Sequence, residues 1–505
     1  MHHAAMSARP NILFLFTDQQ RFDTIRALGN SVIRTPNLDR LVRGGTSFTN
    51  AYSPAPECVP ARCCLTFGQY PAQTGCYGNG DFYPTDERET FMTSLTRAGY
   101  RTHGIGKYHF EYQDYSRVFD LNGFETRRVQ EEIVGRPERD DYLQFLWSNG
   151  YKEITDPHGI RGDMYYMPQP AMMPQQYHPT QWVGDQAVDF LENQAGSEQP
   201  WYGYVSFIHP HPPFAPPSPW HKLYRDLDVP PPHLPPDCEK NWIFLNRFQN
   251  RYKRYDRGFD LHRVRMMRAY YYACISFIDY QVGRILDRLE ANGQLENTLI
   301  LFSSDHGELL GDFHCVGKRT YHDAAARVPL LLHWPGQIPA GHRCETPVNL
   351  LEATRTFLEA AESGFDTHAC EGRNLVEIAN RPDENATIFT QLYARNRGVY
   401  TAIDREWKYV YSAPDQRELL FHRINDPGET TDLSGSLPPG RGNPLGTMKE
   451  RLIGHCRQYG EEQALAGDDW KPYPKRDLPE NPDSGLLYQD HRWAADLQTI
   501  PGYER

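Results

Sequence analysis

The sequence contains no long hydrophobic run and no excess of basic residues. Its apolar stretches, such as residues 11–16, fall far short of the roughly 18 residues needed to cross a membrane. Lys and Arg number 53 against 65 Asp and Glu, which gives a formal net charge of −12. Nonspecific nucleic-acid binding is therefore excluded, because it requires a basic face. An anionic substrate would need a local positive site, since the overall field repels it.

The chain also lacks a recognisable signal peptide and a regular spacing of its ten cysteines. The opening residues, MHHAAMSARP, show no basic segment followed by an apolar core. Cysteines scattered in this way over 505 residues do not form the disulfide framework of a small secreted protein. We therefore expect a cytoplasmic protein with reduced thiols; secretion of a trimmed precursor stays open.

The first three quarters of the chain alternate buried strands with helices. Apolar runs predict strands covered on both faces at residues 11–16, 201–208, 297–304 and 328–334. Helix signals recur between them, with Thr35 and Thr90 as predicted N-caps and a long helix predicted over 261–293. This order predicts an α/β domain with a large, mainly parallel sheet flanked by helices.

The pattern changes near residue 380. Short alternating segments joined by turn residues predict a small antiparallel sheet, followed by a helix at about 446–463 and an irregular polar tail. We therefore predict a first domain over 1–380 and a smaller C-terminal α+β subdomain over 381–505. Within the first domain, the proline-rich stretch 210–236 excludes helix and central strand, which leaves a stiff loop: either a wall of the active site or a surface connection.

Polar side chains follow several of the predicted strands at the point where each strand ends. In an open α/β sheet these ends meet at one edge, where ligands bind. The residues concerned are Asp18, Gln19, Lys107, His109, His209, His211, Asp305 and His306. The oxygen ligands among them, with one imidazole, suit Ca²⁺, Mg²⁺ or Mn²⁺ better than Zn²⁺. Each pair taken alone could equally be a loop cap or a turn, so the hypothesis depends on their convergence.

Cys58 lies where a helix is predicted to begin. Pro60 suits the first turn of that helix, and Arg62 lies one turn further on the same face. Free N–H groups and the helix dipole favour an anion at this end and would acidify a thiol there. Cys63 and Cys64 are predicted to pack inside the protein. The segment is therefore a candidate cradle for a tetrahedral oxyanion.

The run Cys58-Val59-Pro60-Ala61-Arg62 matches the C-x-P-x-R signature of formylglycine-dependent sulfatases, the type I sulfatases of the alkaline phosphatase superfamily. Further blocks resemble that family in the same order, among them NILFLFTDQQ, GKYH, PHPPF, SSDHGELLGD and GKRTYHDAAARVPLLLHWPG. The resemblance extends over residues 10–435. It implies an alkaline-phosphatase-like fold and an enzyme that hydrolyses a sulfate monoester, either a sulfated carbohydrate or a small organosulfate.

The resemblance also implies an unusual nucleophile. A separate maturation enzyme would oxidise Cys58 to formylglycine, whose aldehyde hydrates to a geminal diol. One hydroxyl attacks sulfur and expels the alcohol. The second hydroxyl then loses its proton, and the C–O bond breaks to release sulfate and restore the aldehyde. This internal route explains why a plain serine or cysteine would not serve, since its sulfate ester would be stable.

The remaining site roles are likewise implied by the resemblance. A divalent metal would be bound by Asp18, Gln19, Asp305, His306 and the modified residue 58. The same resemblance gives Ca²⁺ as the expected metal, with Mn²⁺ and Mg²⁺ as alternatives. Arg62 and His109 would orient the formylglycine. Sulfate would be bound by Lys107, His211, Lys318 and Asn79, with His211 or Lys318 as general acid.

Several positions depart from the family pattern. Many sulfatases have Asp where this chain has Gln19, and Asn or Gln where it has His306. These two residues resemble the related phosphonate monoester and phosphodiester hydrolases, which are the alternative function. Lys107 and His109 favour a sulfatase, because phosphonate hydrolases carry hydroxyl residues there. No role is predicted for His209 or for His322, where a Glu is common, and a homo-oligomer stays open.

Overall fold

The computed structural model describes residues 9–478, apart from 111–117, 119, 133–136, 155, 162–163, 226–227, 254–259, 367–368 and 437–441. Within these residues, no helix is both long enough and apolar enough to cross a membrane. All ten cysteines are free thiols. Most of the predicted irregular tail, residues 479–505, lies outside the described part of the chain.

An eight-stranded sheet organises the larger part of the described chain. Its strands run in the order β5-β4-β6-β1-β7-β8-β2-β9, and β1 pairs in parallel with β6 and β7. Only β8 runs antiparallel to its neighbours β7 and β2 in this sheet. The predicted large, mainly parallel sheet is confirmed. The bounds are β1 Asn11–Asp18, β2 Thr46–Phe48, β4 Arg101–Gly106, β5 Thr126–Val129, β6 Trp201–Pro210, β7 Thr298–Ser304, β8 Leu330–His333 and β9 His342–Cys344.

Helices cover both faces of this sheet. Residues 12–16 of the central strand β1 point alternately to the two faces, and because all five are apolar, both faces must be covered. Ile12, Phe14 and Phe16 belong to one buried cluster, and Leu13 and Leu15 belong to another. The helices are α1 Leu38–Gly44, α2 Cys58–Phe67, α3 Pro71–Thr74, α4 Phe91–Arg97, α5 Asp141–Ser148, α6 Pro179–Asn193, α7 Phe244–Lys253, α8 Leu261–Ala291, α9 Asp323–Ala326, α10 Leu351–Ala360 and α11 Leu375–Asn380.

The C-terminal part is built on a four-stranded antiparallel sheet in the order β11-β12-β13-β14. Helix α12, Pro444–Gln458, packs on one face through Leu452 and Cys456. The sheet strands are β11 Ile388–Leu392, β12 Val399–Ile403, β13 Trp407–Ser412 and β14 Arg417–His422; the two-residue strands are β3 Ala51–Tyr52, β10 Val348–Asn349, β15 Leu465–Ala466 and β16 Asp469–Trp470. The predicted antiparallel subdomain is confirmed, whereas the boundary between residues 380 and 381 stays a prediction.

Helix ends differ in detail from the sequence predictions. The prediction of Thr35 as an N-cap is wrong, because α1 begins at Leu38. The N–H groups of Asn37 and Leu38 donate instead to the carboxylate of Asp279 on α8, at 3.1 and 2.7 Å from Oδ1. A residue some 240 positions away thus supplies the cap, which no local pattern can indicate. Thr90 does cap α4 by accepting from the N–H of Thr93.

Candidate active site

The carboxyl ends of four neighbouring strands and the first turn of α2 meet at one edge of the large sheet. Strand β1 ends at Asp18, and its neighbour β7 ends just before Asp305; the N–H of Gln19 donates to Asp305 Oδ1 at 3.0 Å. Strand β4 is followed by Lys107, and β6 ends just before His211. The convergence expected at this edge of an α/β sheet is therefore present.

The side chain of Cys58 is fully buried and is surrounded by polar groups. Its Sγ lies 2.8 Å from Lys318 Nζ, 3.2 Å from His306 Nε2 and 3.8 Å from Asp18 Oδ1. Burial opposes ionisation of this thiol, as does Asp18, but Lys318, Lys107 and His306 outweigh both and hold the pKa of Cys58 well below its usual range. The position therefore favours an anionic nucleophile or an oxyanion.

Two buried carboxylates, those of Asp18 and Asp305, form a candidate metal cluster with Cys58 and His306. One ligand atom from each of the four lies within 4.8 Å of all the others. Arg62 binds both carboxylates, with Nε 2.9 Å from Asp305 Oδ2 and an Nη 3.2 Å from Asp18 Oδ2. Two like charges held this close and away from water repel each other, and a cation between them relieves that repulsion. The donor set therefore fits a divalent metal.

His306 is oriented as a metal ligand would be. Its Nδ1 lies 3.0 Å from the carbonyl oxygen of Gly307, so the geometry assigns the ring N–H to Nδ1. In the neutral ring that a bound metal would require, the lone pair is on Nε2, which faces Cys58 and lies 3.5 Å from Asp305 Oδ1. A backbone carbonyl that fixes the tautomer in this way is typical of metal-binding histidines.

Glu132, which the sequence analysis did not single out, contacts Lys107, Arg161 and His211 beside Cys58. Its Oε2 accepts from Lys107 Nζ at 2.5 Å, and its Oε1 accepts from Arg161 at 2.7 Å and lies 3.4 Å from His211 Nδ1. Burial opposes ionisation, but His211, Lys107 and Arg161 outweigh it and hold the pKa of Glu132 well below its usual range. Glu132 follows strand β5. The expectation that site residues follow the carboxyl ends of strands would therefore have identified it if β5 had been predicted.

Lys318 links the predicted metal ligand Gln19 to the nucleophile. Its Nζ donates to Gln19 Oε1 at 2.8 Å, and the Gln19 amide nitrogen donates to the carboxylate of Glu308. Asn79 accepts from the N–H of Val59, in the first turn of α2, at 2.9 Å. Its own amide nitrogen is buried and has no hydrogen-bond partner among the described residues.

His211 and His109 lie on the other side of the nucleophile. His211 Nε2 is 3.3 Å from the hydroxyl of Tyr165, and burial lowers the pKa of His211. The backbone N–H of His109 donates to a carboxylate oxygen of Glu131 at 3.1 Å. With φ at 58°, His109 has the left-handed conformation that is rare outside glycine and that turns the chain just after Lys107.

The two histidines without a predicted role lie behind the site. His209 Nδ1 is 3.1 Å from the hydroxyl of Thr180. His322 stacks on Phe313 with ring centroids 4.0 Å apart, and its Nδ1 is 3.6 Å from Glu429. Both therefore pack in the interior. One contact network around Cys58 contains most of the other predicted site residues: Asp18, Gln19, Arg62, Lys107, His211, Asp305, His306 and Lys318. Asn79 is connected to it through the N–H of Val59, and the individual roles of all these residues stay predictions.

Cations and two buried carboxylates that could hold a metal thus surround a buried nucleophile at the carboxyl edge of the large sheet. This arrangement is typical of a hydrolase of anionic esters. The profile of the Sulfatase family matches residues 10–363. A choline-sulfatase from Rhizobium meliloti is 31% identical over 88% of this chain and 85% of its own length. An arylsulfatase from Clostridium perfringens is 27% identical over 85% of this chain and 91% of its own.

The chain therefore belongs to the sulfatase family, and it is a sulfuric ester hydrolase. Among solved structures, a phosphonate monoester hydrolase from Silicibacter pomeroyi superimposes with a TM-score of 0.76, covering 93% of this chain and all of that one. At 24% identity that likeness shows the fold alone. The resemblance found in the sequence is thus confirmed for family, fold class and enzyme class. The family implies a divalent metal and formylglycine, in keeping with the cluster around Cys58.

Proposed function

We propose that this protein hydrolyses sulfate monoesters with residue 58, oxidised to formylglycine, as the nucleophile. The observation that carries the proposal is the position of Cys58 Sγ, 2.8 Å from Lys318 Nζ and beside the Asp18/Asp305 cluster. Groups that stabilise negative charge converge there from separate parts of the chain. Such preorganised charge is usually the largest contribution to catalysis of ester cleavage.

Four side chains of this site have roles in binding and proton transfer. Lys107, held by Asp18 and Glu132, brings positive charge to the sulfate oxygens. Lys318 touches the nucleophile directly, and His211 lies within reach of it. Either can protonate the departing alcohol, which otherwise leaves as an unfavourable alkoxide. Asn79 adds an amide donor at the start of α2, where the helix dipole already favours an anion.

Asp18, Asp305, His306 and Gln19 would hold one divalent metal, with Ca²⁺ as our proposal and Mn²⁺ or Mg²⁺ as alternatives. Three of these four residues offer oxygen atoms, which Ca²⁺ prefers. When bound, the metal polarises the sulfate and favours the ionised form of the hydrated residue 58. Arg62 remains with the two carboxylates and fixes their spacing.

The substrate would enter from the side of Arg161 and Asn79, which are half-buried while the residues nearest Cys58 are fully enclosed. Arg161 packs over the ring of Tyr165 at 4.9 Å. A planar cation and an aromatic ring at the entrance suit a polar, hydroxyl-bearing leaving group. The relatives described above are a choline-sulfatase and an arylsulfatase. We therefore propose a small organosulfate or a sulfated carbohydrate as substrate.

The test compares hydrolysis of an aryl sulfate with that of a phenylphosphonate monoester by the matured enzyme. We expect kcat/KM for the sulfate to be the larger of the two. A strong preference for the phosphonate would instead favour the phosphonate monoester or phosphodiester hydrolase alternative. Mass spectrometry of the tryptic peptide that ends at Arg62, made in the native host, should show aldehyde in place of thiol at residue 58.

The Cys58→Ala variant serves as the matched test of the nucleophile. Loss of a covalent nucleophile costs on the order of 10⁴-fold or more in kcat, so we expect the activity to fall by about that factor. Cys64→Ala is the control, because Cys64 is equally buried in the same helix but lies outside the cluster around Cys58. Activity of Cys58→Ala close to that of the wild type would contradict the proposal.

A further inference from the structure

Outside the active site, a thiol, a carboxylate and an imidazole face one another where two short 3-10 turns meet. One turn is Cys238–Asn241, at the end of the proline-rich stretch, and the other is Asp312–His314. The Nδ1 of His314 lies 2.6 Å from Glu239 Oε1 and 3.9 Å from Cys238 Sγ. The three atoms all lie within 4.8 Å of one another.

This geometry is close to that of three ligands on one tetrahedral metal. With zinc bonds of about 2.3 Å to sulfur and about 2.0 Å to nitrogen or oxygen, neighbouring ligand atoms are about 3.3 to 3.6 Å apart. The observed separations of 2.6 and 3.9 Å lie on either side of that range. Shifts of less than about 1 Å would therefore complete the geometry.

We propose that Cys238, Glu239 and His314 form a second metal site, for a thiophilic divalent cation such as Zn²⁺. Thiolate and imidazole ligands select such cations, whereas the oxygen-rich cluster at Asp18 and Asp305 suits a harder ion. Glu239 and His314 are about half and one third exposed, so the cation has a path of entry, while Cys238 is buried. Three protein ligands leave a fourth position for water.

The site would fasten a strained loop that leads to the active site. His314 lies between His306 and Lys318 in the chain, so its loop connects two residues that touch Cys58. Phe313 and His314 have φ of 55° and 56°, a left-handed conformation that side chains rarely adopt. A metal bond to His314 would hold this loop against the end of the proline-rich stretch, and so would restrict the segment that carries Lys318.

The experiment titrates Co²⁺ into a Cys58→Ser background with excess Ca²⁺ present. This background removes the thiol of the active site, and thiolate bound to Co²⁺ gives an intense charge-transfer absorption band. We expect one equivalent of Co²⁺ to give the band, and Zn²⁺ to displace it. The added substitution Cys238→Ser should abolish the band. Cys456→Ser is the matched control, because Cys456 is just as buried but lies in the C-terminal part, and it should leave the band unchanged.

A band of full height in Cys58→Ser/Cys238→Ser, or no band in Cys58→Ser itself, would overturn the proposal. If Cys238→Ser perturbs folding, His314→Gln gives the same answer, because the partly exposed imidazole can be replaced without opening the core. In that variant we expect the affinity for Zn²⁺, measured by competition with a chromophoric chelator, to fall at least tenfold. Unchanged affinity would again overturn the proposal.

Discussion

A single carboxylate, Glu132, determines the charge balance beside the nucleophile. It is buried and binds Lys107, Arg161 and His211, so the removal of its charge leaves Lys107 with Asp18 as its remaining carboxylate partner. Lys107 would then shift toward Asp18, and His211 would lose the group opposite its Nδ1. The sequence analysis missed this residue, because the short strand β5 before it was not predicted and one glutamate alone forms no motif.

We predict that Glu132→Gln lowers kcat/KM for an aryl sulfate by about 10- to 100-fold, since it removes a hydrogen-bonded charge from the catalytic groups. The loss should be greater for an alkyl sulfate, whose leaving group depends more on protonation by His211 or Lys318. Steady-state kinetics with both substrates checks this. Glu125→Gln is the control, because that exposed glutamate lies on the same segment and accepts from the N–H of Thr102. Equal activity of Glu132→Gln and wild type would refute the prediction.

The repulsion between Asp18 and Asp305 predicts that metal binding stabilises the folded protein. At a Ca²⁺ concentration of about 100 times Kd, the gain in free energy of unfolding is about 2.7 kcal/mol. We expect thermal unfolding to show a rise in Tm with Ca²⁺ that chelation reverses and that Asp305→Asn removes. Asp312→Asn is the control: Asp312 is also buried, but it binds Arg21 and Arg268. A Ca²⁺-dependent rise that persists in Asp305→Asn would place the metal elsewhere.

At the scale of elements, both ends of helix α2, which carries Cys58, are held by specific contacts. At its start the N–H of Val59 donates to Asn79. Its C-cap is Gly68, whose φ of 65° is left-handed, and an added Cβ there would lie 2.5 Å from Cys370 Sγ. The following helix α3 ends at Gly75, with a φ of 73° but no atom within 4 Å of an added Cβ. The two glycines thus share a backbone conformation and differ in the space around them.

We predict that Gly68→Ala lowers the free energy of unfolding by more than Gly75→Ala does. Both substitutions carry the cost of a left-handed alanine, about 1 to 2 kcal/mol. Gly68→Ala adds overpacking against Cys370, which costs about 1 to 3 kcal/mol more. Urea unfolding of the two variants measures the difference. Equal losses would mean that the neighbourhood of Gly68 adapts without cost.

Sequence patterns predicted those elements whose signals are local. The strand 11–16, the cap at Thr90 and the helix start at Cys58 all have apolar runs or capping residues that reveal them. The three-residue strands β2 and β9 were not predicted, because three residues are too few to show the alternation of apolar and polar residues that indicates a strand. The antiparallel orientation of β8 was not predicted either, since the composition of a buried apolar strand does not depend on its orientation in the sheet.

At the scale of the whole molecule, buried ion pairs join the C-terminal sheet to the larger domain. Lys408 on β13 is fully buried and binds both Asp323 of α9 and Glu429. Burial opposes ionisation of both carboxyls, but Lys408 outweighs it and lowers the pKa of Asp323 and of Glu429. Burial likewise opposes the charge of Lys408, while Asp323 and Glu429 together raise its pKa. The two parts are therefore expected to unfold together.

We predict that Lys408→Met costs about 3 to 5 kcal/mol of unfolding free energy, because it removes the buried cation that bridges two buried carboxylates. Lys449→Met is the control: Lys449 also binds two carboxylates, Glu418 and Asp469, but its side chain is 21% exposed, so its loss should cost about 1 kcal/mol or less. Urea unfolding measures both. Similar costs for the two variants would contradict the assigned role of Lys408.

The same ion pairs predict the dependence of stability on pH. A carboxyl with a lowered pKa stabilises the folded state above its unfolded pKa of about 4, and this contribution is lost as the pH falls through the lower folded value. Lys408, with a raised pKa, contributes fully below about pH 10 and less above it. The difference between wild type and Lys408→Met should therefore be largest near neutral pH and shrink in acid.

The complete enclosure of Cys58 has a consequence for the order of events during synthesis. The residues that close over its Sγ include Lys318, which leaves the ribosome 260 residues later. At about 5 to 20 residues per second, that interval lasts on the order of 10 to 50 s. The maturation enzyme that the proposed function requires would therefore have to reach the thiol while the chain around it is still open. Translation speed would thus influence what fraction of the molecules ever becomes active.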